Sequence, residues 1–227
     1  MKNDTSAIIV SAGNSTRMGG VNKQFLKLGN STVIGMSLKA FQDCESVSEI
    51  IVVTKLDDTS KVEGIAKDLN ITKLKSVTVG GNTRQESVLN GCKKVSQDTS
   101  LITIHDGARP LVLVEDIEKC IANARVYGGS TLGVPVKDTI KVVNDNLITD
   151  TPYRPSLYIT QTPQTFKKSI YFRGVEFAER NNLDFTDDCQ LVEAMGYKIY
   201  MTTGNYSNIK ITTPEDIHIA EILLQNR

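Results

Sequence analysis

Apolar, β-branched runs alternate with amphipathic stretches along the first two thirds of the chain, and no other feature restricts its fold as strongly. AIIVSA is followed by TVIGMSLKAF, EIIVVT by SKVEGIAKDL, KSVTVG by RQESVLNGCKKV and LITIHD by VEDIEKCIANARVYG, with STLGVPV after them. A strand that is apolar throughout is covered on both faces, and strand–helix alternation winds such strands into a mainly parallel sheet flanked by helices. The predicted fold class is therefore α/β. From Asp138 the period changes to two across DTIKVVNDNLITDT, around Asn144, Asp145 and Asn146, which predicts a hairpin that leaves the sheet. Pro152, Pro155 and Pro163 then punctuate a connection before helical patterns return at KKSIYFRGVEFAERN and DDCQLVEAMG. KIYMTTG reads as a strand. Thr213, Pro214, Glu215 and Asp216 combine a cap, a first-turn proline and two acids, and so open the last helix.

Composition narrows the function classes. With 227 residues, 40% of them hydrophobic, the chain can bury a large core, and a single domain over 1–227 is expected. The 26 basic and 26 acidic residues cancel, so no overall field favours nucleic acid or an anionic membrane. Cys44, Cys92, Cys120 and Cys189 are widely spaced, without a C-x-x-C pair, which fits neither a zinc site nor a disulfide framework and suits a reducing cytoplasm. The opening MKNDTSAIIV is too short and polar for a signal peptide, and no apolar run reaches the length of a membrane span.

The loop SAGNSTRMGGVNKQFLKLG follows the first strand, at the carboxyl edge where open α/β sheets place ligands. It is not a dinucleotide fingerprint, because Ser15 replaces the second glycine. It is not an ATPase-type phosphate loop either: five residues rather than four separate Gly13 from Gly19, and no Lys-Ser or Lys-Thr pair follows. What remains is a glycine-rich turn carrying Arg17 and Lys23, suited to a polyphosphate through its backbone N–H groups and two cations. A loop with two solvated cations would look the same in isolation. Two more strand ends converge on this edge: Gly80 and Gly81 lead through Asn82 and Arg84 to Ser87, and HDGARP supplies Asp106, Gly107 and Arg109. His105 reads as a packed or capping residue rather than a catalyst. Thr186, Asp187 and Asp188 fit a helix cap as well as a site.

Taken together, S-A-G-x-S-x-R-M-G at 11–19, K-Q-F at 23–25, G-G-N-x-R-x-E-S-V at 80–88, H-D-G-A-R-P at 105–110, V-K-D-T-I-K at 136–141, Q-T-P-Q at 161–164, T-D-D at 186–188 and N-I-K-I-T-T-P-E-D at 208–216 resemble the 2-C-methyl-D-erythritol 4-phosphate cytidylyltransferases. The resemblance implies a Rossmann-like nucleotidyltransferase fold with a dimerisation arm at about 138–160, and a reaction that joins CTP to methylerythritol phosphate and releases pyrophosphate. It implies Mg²⁺ or another divalent cation, with Asp106 near metal and ribose. Arg17, Lys23 and Lys210 would hold the triphosphate and stabilise the reacting phosphates. Ser11, Ala12, Gly13, Gly80, Gly81, Asn82, Ser87 and Gly107 would form the nucleotide site. Arg109 and Thr186 would lie on the acceptor side, while Thr139 and Arg154 of the arm would reach the partner subunit's acceptor phosphate in a homodimer. Ser11 stands where the family often has alanine, Asn82 where aspartate is common, and T-P-Y-R-P differs from the usual run around the arm arginine. A ribitol 5-phosphate cytidylyltransferase or a non-catalytic nucleotide-binding protein would share the loops. T-D-D and V-K-D-T-I-K favour methylerythritol phosphate, and the full set of Arg17, Lys23, Asp106 and Lys210 favours an enzyme.

Overall fold

The computed structural model describes residues 2–13, 20 and 22–226. In chain order the elements are β1 (Thr5–Val10), β2 (Lys27–Leu28), β3 (Ser31–Thr32), α1 (Val33–Asp43), β4 (Val47–Thr54), α2 (Thr59–Asp68), β5 (Leu74–Val79), α3 (Arg84–Cys92), β6 (Leu101–Asp106), α4 (Val114–Tyr127), β7 (Gly129–Pro135), β8 (Val142–Asn144), β9 (Leu147–Asp150), β10 (Tyr158–Lys167), α5 (Lys168–Arg180), α6 (Asp188–Glu193), β11 (Tyr200–Thr203) and α7 (Pro214–Gln225). Seven strands make one sheet in the order β11-β7-β10-β6-β1-β4-β5. β1 pairs in parallel with both β4 and β6, β4 with β5, and β7 with β11. β10 runs antiparallel to its neighbours β6 and β7.

The apolar runs are explained by this arrangement. Ala7 and Ile9 of β1 join Ile50 and Val52 of β4 beneath α1, α2 and α4, packing with Leu38, Phe41, Val62, Ile117 and Ile121. The alternate residues Ile8, Val53, Ile102 and Ile104 face the other way, onto Val88, Tyr171, Val175 and Leu191 of α3, α5 and α6. Because side chains alternate across a strand, only a strand buried on both faces needs every position apolar.

The central and terminal helices start as the sequence predicts. Thr32 caps α1 by accepting from Gly35 N–H, and Asp216 of α7 accepts from the backbone N–H groups of Thr212 (2.7 Å) and Thr213 (2.9 Å). The hairpin β8–β9 turns on Asp145 and Asn146, at φ 49° and 64°, the two left-handed positions that a type I′ turn requires. Its apolar residues Val143, Leu147 and Ile148 are exposed, and it pairs with no strand of the main sheet.

One segment differs from the sequence reading. The proline-punctuated connection ends in a ten-residue strand, β10, inserted between β6 and β7. Pro163 is tolerated there because the register with β7 slips between Thr160 and Gln164, so the missing N–H falls in a bulge rather than in the ladder.

Candidate active site

Strands β1, β4, β5 and β6 all end at the same edge of the sheet. Since β4 and β6 flank β1 on opposite sides, the chain leaves β1 at the point where strand order reverses, the place where open α/β sheets form a crevice. A cavity of about 640 Å³ opens there, lined by the ends of these strands together with Lys23, Arg84 and Lys210.

Each wall has a local cause. At the end of β1, Ser11 is buried, and both its N–H (2.7 Å) and its Oγ (2.8 Å) donate to the carbonyl of Val53, which turns the side chain toward β4. Ala12 and Gly13 then border the cavity, and a Cβ on Gly13 would meet no atom within 4 Å. After β5 the chain folds back tightly onto α3. A Cβ on Gly80 would come within 2.5 Å of Ala12 Cβ, and one on Gly81 within 2.4 Å of Glu86 Cβ, so this pair is glycine because of the protein's own packing. Gly81 N–H donates to Ser87 Oγ (3.1 Å), Asn82 N–H to Glu86 Oε2 (2.7 Å), and Ser87 Oγ donates to the Thr83 carbonyl (2.9 Å).

Asp106 closes β6. Its N–H donates to Thr162 Oγ1 at 3.0 Å, and its carboxylate meets Lys210 Nζ at 2.7 Å and Arg84 Nη2 at 3.6 Å. Burial would raise its pKa, but Lys210 and Arg84 outweigh that and hold the carboxyl far below the usual range. Lys210 reaches this position because Asn208, fully buried, donates to the Thr162 carbonyl (2.9 Å) and to Gln161 Oε1 (3.2 Å), while Ile211 N–H donates to the Ala108 carbonyl (2.8 Å). The N-I-K block is thereby fastened to β10 and to the H-D-G-A turn. Lys23 enters from a short 3₁₀ turn, Lys23–Phe25, capped by Asn22, whose Oδ1 accepts from Gln24 N–H (3.1 Å) and whose Nδ2 donates to Asp58 (2.8 Å). Gly107 must be small: a Cβ would lie 2.8 Å from Ile34 Cδ1 and 3.0 Å from Gln24 Oε1.

A glycine-lined crevice with cations arranged around one ionised carboxylate is suited to a polyphosphate. Known proteins agree. The sequence profile of the IspD family, 2-C-methyl-D-erythritol 4-phosphate cytidylyltransferase, matches residues 5–226. The chain belongs to this family. It is 44% identical over 225 residues to the 2-C-methyl-D-erythritol 4-phosphate cytidylyltransferase of Caldanaerobacter subterraneus subsp. tengcongensis, covering 98% of this chain and 99% of that one. Its fold matches the crystal structure of a 4-diphosphocytidyl-2C-methyl-D-erythritol synthase from Anaerococcus prevotii, with a TM-score of 0.88 at 32% identity over 97% and 96% of the two chains. The cytidylyltransferase of Thermus thermophilus gives a TM-score of 0.82 at 29% identity, covering 99% of this chain and 100% of that one.

Within the family pattern, the structure brings Ser11, Ala12, Gly13, Lys23, Gly80, Gly81, Asn82, Ser87, Asp106 and Lys210 to the cavity. Arg17 lies outside the described residues. Gly107, whose tight packing is described above, and four other predicted residues do not line the cavity. Arg109 turns inward, where Nη1 donates to the Asn208 carbonyl at 2.7 Å. Thr186 is exposed, and its Oγ1 donates to Gln190 Oε1 at 3.2 Å. Thr139 is exposed at the base of the hairpin, and Arg154, also exposed, donates to the Lys137 carbonyl at 3.1 Å. His105 is structural, as expected. Thr162 Oγ1, accepting from Asp106 N–H, can donate to His105 Nδ1 (3.1 Å), which leaves Nε2–H to donate to the Arg109 carbonyl (3.2 Å). Burial pushes its pKa down to about 4 and keeps the ring neutral.

The sequence places Arg84 beside the second glycine pair but assigns it no role. Arg84 is mostly buried between two carboxylates, with Nη1 2.6 Å from Asp188 Oδ2 and Nη2 3.6 Å from Asp106 Oδ1. A signal existed in R-x-E-S-V, where an arginine opens a helix, a position that favours acids.

Proposed function

We propose that the chain transfers the cytidylyl group of CTP to 2-C-methyl-D-erythritol 4-phosphate, giving 4-diphosphocytidyl-2-C-methyl-D-erythritol and pyrophosphate in non-mevalonate isoprenoid precursor synthesis. One observation carries the reading: Lys23, Lys210 and Asp106 surround a crevice at the strand-order reversal of a chain that matches the family over residues 5–226.

In this reaction an oxygen of the acceptor phosphate bonds to the α-phosphorus of CTP, and the bond from that phosphorus to the α,β-bridging oxygen breaks. An attacking phosphate needs no general base. The protein must bring two anions together and offset their repulsion in the transition state. Arg17 and Lys23 take the triphosphate and Lys210 the charge building at the α-phosphate, while Ser11 to Gly13 and the Gly80–Ser87 turn enclose the nucleoside beside Gly107. Arg109 and Thr186 belong to the acceptor side. The exposed apolar residues of the hairpin support a homodimer through an arm at about 138–160, in which Thr139 and Arg154 of one chain serve the other's acceptor phosphate. The remainder of 1–227 is then a single catalytic domain.

A divalent cation, Mg²⁺ in the first instance, fits the donor set. Among the described residues no group of three or more His, Cys, Asp or Glu is placed to hold a metal by itself. Mg²⁺ bound with a nucleotide takes one or two carboxylates and completes its shell with phosphate oxygens and water. Asp106, ionised and facing the cavity, provides such a carboxylate. When bound, the cation neutralises part of the triphosphate charge. The four free cysteines suit a cytoplasmic enzyme, and among the described residues no helix is long and apolar enough to cross a membrane. Neither nucleic acid nor membrane is a partner in this reading.

Pyrophosphate release tests it, with CTP, UTP or GTP each paired with methylerythritol phosphate or ribitol 5-phosphate. The expected result is release with CTP and methylerythritol phosphate well above every other pair. Preference for ribitol phosphate would reassign the acceptor, and no release with any pair would contradict transfer altogether.

A further inference from the structure

A buried chain of charges runs from the cavity to the start of α6, and the nucleotide reaction described above does not use its far end. Asp188 is almost fully buried. Its Oδ1 accepts from the Tyr171 hydroxyl at 2.7 Å, its Oδ2 accepts from Arg84 Nη1 at 2.6 Å, and its N–H donates to Gln164 Oε1 at 3.0 Å. Gln164 in turn donates to Asp187 at 2.9 Å, and Asp187 caps the helix by accepting from Gln190 N–H at 2.9 Å. The Asp188 anion is thus fixed at a helix N-terminus, where the peptide dipoles favour negative charge. Arg84 is shared unequally: it is 1.0 Å closer to Asp188 (2.6 Å) than to Asp106 (3.6 Å).

That inequality has a consequence for Asp106. A guanidinium fully engaged with Asp106 would oppose any cation brought to the same carboxylate, whereas a guanidinium held by a second, buried carboxylate opposes it less. Arg84, Lys210, Asp106 and Asp188 carry two positive and two negative charges and balance one another while Asp188 is present, with Arg109 adding one positive charge near Asp106. Without Asp188 the cluster gains one net positive charge a few ångströms from Asp106, in a region where charges interact more strongly than in water.

We propose that Asp188 is a positioning residue that draws Arg84 away from Asp106 and so keeps Asp106 able to hold a divalent cation with the nucleotide. The inference rests on the reading of Asp106 as a cation ligand. It also couples Asp188 of the T-D-D segment to the nucleotide side through Arg84.

The test measures Mn²⁺ affinity by electron paramagnetic resonance on the full chain with the α,β-methylene analogue of CTP, so that no turnover is involved. Asp188→Asn, which keeps a side-chain oxygen for Tyr171, is expected to weaken Mn²⁺ binding about tenfold, an effect in keeping with one uncompensated charge at this range. Arg84→Gln is expected to bind Mn²⁺ at least as tightly as the unaltered protein. The double variant Asp188→Asn/Arg84→Gln should return to within about threefold, since both charges are gone. A merely structural role for Asp188 predicts the opposite, with the double variant no better than the single one, and that result would overturn the proposal. If Asp188→Asn does not fold, Arg84→Gln decides alone: weaker Mn²⁺ binding contradicts the proposal and equal or tighter binding supports it. Asp106→Asn separates the two levels. Unchanged Mn²⁺ affinity in that variant overturns the cation reading and this inference with it, whereas weakened affinity there beside an unaffected Asp188→Asn overturns the inference alone.

Discussion

Two buried carboxylates stand at opposite ends of the sheet, and the contrast between them separates scaffold from site. Glu49, near the start of β4, is enclosed by close donors: Ser6 Oγ (2.5 Å) and Ser96 N–H (2.8 Å) on one oxygen, Ser96 Oγ (2.6 Å) and Lys75 Nζ (2.9 Å) on the other. Burial acts to raise its pKa, but the hydrogen bonds from Ser6, Ser96 and Lys75 outweigh it and bring the value down to about 2. Asp106, at the end of β6, is held by Lys210 and Arg84, and it faces a cavity. Both groups are buried and ionised. Glu49 is satisfied mostly by serine hydroxyl and backbone groups, with Lys75 the one cation beside it, and it does not line the crevice. Asp106 is balanced by long cationic side chains, two of which line the crevice and can be shared with an incoming anion. A depressed carboxylate pKa therefore does not by itself mark a site; the kind of partner and the open space do.

Substitution of each carboxylate should separate the two roles. Asp106→Asn is expected to lower turnover by about 100-fold or more, the scale of losing one preorganised electrostatic element, with little change in melting temperature. Glu49→Gln should leave turnover per folded molecule unchanged and lose about 2 kcal/mol of stability, read by urea denaturation, because it removes hydrogen bonds to a charged group. If both variants lose activity equally, or both lose only stability, the distinction fails.

The arm sharpens the comparison from a third position, since its apolar residues Val143, Leu147 and Ile148 are exposed. Ile148→Asp is expected to weaken self-association about tenfold or more in sedimentation equilibrium without altering the melting of the sheet, since it adds a charge to an apolar contact. A wild-type protein that is monomeric at micromolar concentration would remove the arm from the account.

The smallest effect is the pH dependence of Glu49. Its folded pKa lies below its ordinary value of 4.5, so the stability it supplies is complete above that value and disappears as the pH falls through about 2. The difference in stability between wild type and Glu49→Gln should accordingly be constant from pH 7 to about 5 and shrink below it. A difference that grows on acidification would contradict the assignment.

Much of this architecture is legible in the sequence because its signals are local. The runs AIIV, EIIVV and LITI mark strands covered on both faces, Asp145-Asn146 marks a tight hairpin turn, and Thr213 to Asp216 marks a helix start. β10 is not legible: it carries Pro163 and few β-branched apolar residues over Q-T-P-Q, and only its neighbours β6 and β7 make it a strand. The site divides the same way. Lys23, Asp106 and Lys210 stand in recognisable blocks, but the pairing of Arg84 with Asp188 spans 104 residues and depends on how α6 docks beside α3. Arg109 is recognisable in its block as well, yet the fold turns it toward Asn208, a choice that follows from where β10 fastens the N-I-K segment.

The central claim is that the crevice cations carry the transfer, and Lys23→Ala tests it most directly. In pyrophosphate release with saturating CTP and methylerythritol phosphate, the variant should be slower than wild type by about 100- to 1000-fold, or about 3 to 4 kcal/mol, with an unchanged melting temperature. Near-normal turnover in a folded Lys23→Ala protein would contradict the account.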